Sequence, residues 1–187
     1  MADTEYLDQF EKILEDGLVK ICTTAGLLKD GMMSSPDIDE AWENLYLKDY
    51  VADAVENYGE YPEAAIAWAA FLGMSVASSW DRDWAAHDKD PYQMHYGRRG
   101  FDDMDEHVMY DILGLDADKA KYLSDCIQSC AQATLTLIRH EHVQPLTSDE
   151  FYVLVRCYGV MFRIGAAVEL DRLGYRKMAL TQSKYTN

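Results

Sequence analysis

The chain has 187 residues, 49% of them apolar and 12% aromatic, a globular composition large enough to bury one core. Its formal net charge is −16, and residues 1–60 alone carry 15 acids against 4 bases. Such a surface is repelled by DNA, RNA and anionic lipid, which sets aside nucleic acid and membrane as expected partners.

The opening residues, Met1 to Phe10, are acidic and lack the basic and apolar regions of a signal peptide, so a cytoplasmic protein is expected. Cys22, Cys126, Cys130 and Cys157 are then expected as free thiols.

The first helix is predicted from Asp3 to Leu28. Tyr6, Phe10, Ile13, Leu14, Leu18, Ile21, Ala25 and Leu28 recur at three and four, and Gly31 is the expected stop. Ser34 and Ser35, followed by Pro36 and the acids Asp37, Asp39 and Glu40, open a second helix that runs to Gly59. The third runs from Pro62 to about His87. Its stretch from Ala64 to Trp80 carries no charge and is rich in Ala, so it reads as a helix surrounded by others. Ala65, Ala69, Gly73 and Ala77 line one side of it, a stripe suited to close helix approach.

Residues Asp88–Phe101 hold a proline and two glycines with no helical period, and read as a loop. A short fourth helix follows from Asp102 to Gly114. The fifth is capped by Asp116 and runs to about Val143. The sixth opens after Pro145 with Thr147 or Ser148 as its cap and stops at Gly174. No strand pattern and no internal repeat is found. The expected fold is therefore all-α, a compact bundle of five to six helices around a central buried helix over about 62–87. One domain spans 1–174, and a polar tail expected to fray spans 175–187.

Five constellations could carry chemistry. The apolar face of the second helix changes sides midway. Ile38, Trp42 and Leu45 lie on one side, and Asp49, Asp53 and Glu56 fall on that same side further along. Either the three carboxylates face a cleft and bind a hard cation, or they form a solvated acidic face. Arg163 is the only charge between Cys157 and Val168. It either shares an exposed stripe with Arg156 or joins a buried polar cluster with Asp49, Asp53 and Glu56, with Asp81 as another partner.

The pairs Asp83 with His87 and Asp103 with His107 have a spacing that suits a metal, but neither has a third ligand nearby. Cys126 and Cys130 face one way on the fifth helix, but further soft ligands at finger-like spacing are missing, so ordinary buried thiols are expected. No metal and no cofactor is expected, since phosphate-cradling and nucleophile-elbow motifs are absent.

The loop is the preferred site. Tyr92, His95, Tyr96, Arg98 and Arg99 gather arginine donors and aromatic faces in a strongly acidic chain. That combination suits a carboxylate, a phosphate or an acidic partner. The alternative folds the arginines back on Asp102, Asp103 and Asp105. The resulting expectation is a non-enzymatic helical interaction protein, homodimeric, with no catalytic residue. The competing one is a metal- or phosphate-handling enzyme that combines the second-helix carboxylates with the His/Arg loop.

Overall fold

The computed structural model describes residues 3–177, 180 and 183–185. These residues form an all-α bundle, and no strand occurs among them. The elements are α1 (Thr4–Thr24), α2 (Pro36–Ala41), a π turn (Trp42–Tyr46), α3 (Leu47–Tyr58) and α4 (Pro62–His87). Short 3-10 turns at Tyr92–His95 and Phe101–Asp103 lead into α5 (Met104–Glu106), which continues as a π turn over His107–Ile112. Two long helices, α6 (Ala117–His140) and α7 (Ser148–Arg172), complete the bundle.

Side-chain caps fix several helix starts. Ser35 accepts from the Ile38 amide, Asp116 from Lys119 and Thr147 from Glu150. The stop of α1 differs from the expected Gly31. The chain turns at Gly26, whose φ of 77° costs a glycine little, and the amides of Gly26 and Leu27 bond back to Thr23 and Cys22. Leu28 stays buried, so the apolar stripe outlasts the helix.

The second predicted helix is interrupted by the Trp42–Tyr46 π turn, which accounts for its change of face. A π turn holds more residues than an α turn and so takes up part of the angular offset between Trp42 and Val51. Both of those residues are buried.

The expected central helix shares its place with another. α4 packs along α7, and both are buried over most of their lengths. Their backbones meet at two glycines. Gly73 faces the carbonyl of Phe162, and Gly165 faces the carbonyl of Ala70. α1 and α6 pack around this pair, while α2 and α3 lie against α4. α7 has the length and apolarity of a membrane span, and 67% of its most apolar window is buried within the bundle.

The described part of the tail is tied down rather than frayed. Leu180 is buried, and Tyr175 donates to Asp81 at 2.5 Å. Ser183 Oγ and the Lys184 amide both donate to Asp37, at 2.8 and 3.0 Å. Asp37 also accepts from Trp80 Nε1 at 2.9 Å, and the Lys184 ammonium sits 4.8 Å from the centre of the Trp80 ring.

Candidate functional site

The loop after α4 divides its predicted site between inside and outside. Tyr92 and His95 are buried, Tyr96 is half-buried, and Arg98 and Arg99 are exposed. His95 Nδ1 lies 2.7 Å from Ser75 Oγ on α4, and the Tyr46 ring meets His95 edge-on. Among the described residues His95 Nε2 has no hydrogen-bond partner. Burial lowers its imidazole from the ordinary 6.5 to about 4, against a smaller opposing pull from Asp90. His95 is thus a buried histidine whose neutral form is favoured.

Tyr92 packs among Tyr50, Tyr96 and Phe101, and Phe101 stacks on Trp68 at 4.3 Å. The loop's aromatics therefore pin it to the bundle. Arg99 follows the folded-back alternative, with its amide 3.1 Å from Asp103 Oδ1 and its Nε 3.8 Å from Oδ2. Arg98 borders a shallow groove with Tyr96, His107 and Tyr110.

The carboxylates of the second predicted helix do not converge. Asp49 and Glu56 are exposed, while Asp53 accepts a hydrogen bond from the Tyr92 hydroxyl. Arg163 does not join them or Asp81. Its Nη2 lies 2.9 Å from Glu11 and 3.0 Å from Glu15, both on α1. Arg156, two turns earlier on α7, bonds Glu11 and Asp8. The stripe of Arg156 and Arg163 is real, but it forms a half-buried ion-pair lace between α1 and α7 rather than a solvated face. The histidine pairs also differ from the predicted ones. His87 takes Asp90 at 2.7 Å and His107 takes Asp111 at 2.8 Å.

Two surface features stand out at opposite ends of α7. At its start, Leu146 is 99% exposed with φ of 62°, a conformation rare for leucine. Its amide is held by Glu150 Oε2 at 2.7 Å, and the first turns of α7 expose Phe151 and Tyr152, with rings 5.8 Å apart. At the other end is a cleft of about 500 Å³ between the end of α1, the start of α6 and the end of α7. Leu27, Leu113, Leu115, Leu123 and Val168 line it, with the bases Lys29, Lys119 and Arg172 and the acids Asp118, Glu169 and Asp171. Glu169 in its wall is fully buried and bonds Arg172 at 2.7 and 2.8 Å. Burial outweighs this ion pair and raises the Glu169 carboxyl above its ordinary range.

The thiols are buried as expected, but they are not isolated. Cys22 on α1 meets Cys126 and Cys130 on α6, with Sγ–Sγ separations of 3.9 and 3.7 Å. The cluster is invisible to local spacing because Cys22 lies 104 residues from Cys126. The exposed leucine at the α6–α7 turn carried a local signal, an apolar residue between Pro145 and the Thr147 cap, that spacing alone did not single out.

Comparison with protein-family models, with curated proteins and with solved structures finds no match for this chain.

Proposed function

We propose that this is a non-enzymatic helical interaction protein that pairs with a second copy of itself, the Leu146 tip of each copy entering the apolar cleft of the other. The observation that carries the reading is Leu146, almost wholly exposed and held in a strained backbone conformation just before the start of α7, whose first turns also expose Phe151 and Tyr152. Apolar side chains fixed in this way gain most when a partner covers them.

The match is apolar rather than electrostatic, since the cleft lining balances Lys29, Lys119 and Arg172 against Asp118, Glu169 and Asp171. Two copies set antiparallel along α7 bring each tip to the other's cleft and close the pair by a two-fold axis. The acidic surface also favours a partner other than nucleic acid or membrane, and a cytoplasmic setting suits four free thiols. A metal- or phosphate-handling enzyme that combines Asp49, Asp53 and Glu56 with the His/Arg loop is the weaker reading, because Asp49 and Glu56 are exposed, Tyr92 engages Asp53, and His95 is buried away from the exposed Arg98 and Arg99.

Zero-length carbodiimide cross-linking of mixed isotope-labelled and unlabelled protein tests the contact. From Glu150 to Val168 along α7 is roughly 30 Å, so a tip carboxylate cannot reach a rim lysine of its own chain. Mixed-label peptides joining Lys29 or Lys119 to Asp149 or Glu150 are the expected product. Dimeric protein whose cross-links all lie elsewhere overturns this contact.

A further inference from the structure

We propose that Cys22, Cys126 and Cys130 form a three-thiolate site for a thiophilic d10 metal ion, with Cu(I) the ion that three sulfurs alone satisfy. The inference is independent of the self-association reading.

The site comes from two helices. Cys126 and Cys130 stand one turn apart on α6 and so face the same way. Cys22, in the last turns of α1, completes the triangle, and the three Sγ atoms lie within 4.8 Å of one another. A metal bound to thiolates at about 2.3 Å holds neighbouring sulfurs roughly 3.8 Å apart in a tetrahedral arrangement and about 4.0 Å apart in a trigonal one. The observed 3.9 and 3.7 Å from Cys22 fall at this spacing, and the Cys126–Cys130 separation lies within 4.8 Å.

The donor set selects the ion. Thiolates are soft ligands that prefer Cu(I) and Zn(II) to hard cations. Structural zinc normally closes four protein ligands, and among the described residues no fourth His, Cys, Asp or Glu joins this group. Ion binding replaces the S–H protons with metal–sulfur bonds and releases those protons to solvent.

Cys126 is the thiol that solvent reaches. Cys126 keeps 7% of its surface exposed, while Cys22 and Cys130 are sealed. Buried cysteines scattered as small apolar residues need no such convergence.

The test is an anaerobic titration of the reduced protein with Cu(I), in competition with a chromophoric Cu(I) chelator and with a parallel Zn(II) titration. The expected result is one Cu(I) per chain, with added Cu(I) displacing any bound Zn(II). Cys22→Ser and Cys130→Ser should each weaken Cu(I) binding by roughly 100-fold or more, since loss of even an outer partner costs up to about that much. Cys157→Ser, which alters the buried cysteine outside the group, should leave binding unchanged. Far-ultraviolet circular dichroism checks that each variant folds. X-ray absorption of the Cu(I)-loaded wild-type protein, which needs no variant, should show three sulfur neighbours and no nitrogen or oxygen. Absence of stoichiometric uptake, uptake unchanged in folded Cys22→Ser, or a nitrogen- or oxygen-rich copper shell each overturns the proposal.

Discussion

Gly73 on α4 lies directly against the Phe162 carbonyl of α7, so close that a Cβ at this position would fall inside van der Waals contact of the oxygen. The neighbour is backbone, which cannot swing aside as a side chain would. Gly73→Ala must therefore push the two helices apart, at a cost of about 1–3 kcal/mol. Gly17 on α1 is the control, since nothing lies within 4 Å of an added Cβ there. Gly17→Ala should stabilise by about 0.5–1 kcal/mol, because it only removes backbone freedom from the unfolded chain. Chemical denaturation of both variants checks the pair. Equal midpoints would show that α4 and α7 do not touch at Gly73.

His95 should make stability depend on pH. Its folded value, lowered to about 4, lies below the ordinary 6.5, so the unfolded chain binds the proton more readily across that window. Its contribution is therefore complete above pH 6.5 and is lost as pH falls toward 4, by about 3 kcal/mol for a shift of this size. Asp90 opposes the shift, and His87 and His107 reinforce it when charged. Stability measured against pH for wild type and His95→Gln should converge as acid is added through this window. Parallel curves would mean that His95 titrates as a solvated group.

How much of this was legible in the sequence depended on whether the information was local. Pro36, Pro62 and the caps Ser35, Asp116 and Thr147 mark helix starts through bonds to their own neighbours, so element order and the all-α class could be read directly. The equal standing of α4 and α7 was hidden because Arg156 and Arg163 make α7 look half-solvated until α1 supplies Asp8, Glu11 and Glu15. The loop was identified by its glycines and charge, but whether Tyr92 and His95 point inward depends on Asp53 and Ser75, which come from other helices. The thiol cluster and the cleft arise only from packing between distant segments, and no period or spacing encodes them.

Asp37 joins three parts of the chain, since it accepts from Trp80, from Ser183 and from the Lys184 amide. Asp37→Ala leaves the buried Trp80 N–H without its acceptor and frees the tail. The expected loss is about 1–3 kcal/mol of stability. Tryptic cleavage at Lys184 under native conditions should also become faster. Unchanged cleavage would mean that the tail is held by contacts other than Asp37.

Arg98 and Arg99 should matter little to the fold. The Arg99–Asp103 pair is long at 3.8 Å, and the arginine side chain is 68% exposed. The double variant Arg98→Ala, Arg99→Ala should shift stability by less than about 1 kcal/mol. It should also leave self-association unchanged, since neither residue lies at the tip or lines the α7-end cleft. Lost association in this variant, with the fold intact, would move the interface to the loop.

The most direct measurement is sedimentation velocity of wild type and Leu146→Asp over a range of concentrations. Leu146 is 99% exposed and touches no core residue, so its replacement should leave the monomer's fold and stability intact. The account predicts a concentration-dependent dimer for wild type, and for Leu146→Asp a monomer with an unchanged circular dichroism spectrum. A wild-type protein that remains monomeric at every concentration, or a Leu146→Asp variant that dimerises as wild type does, contradicts it.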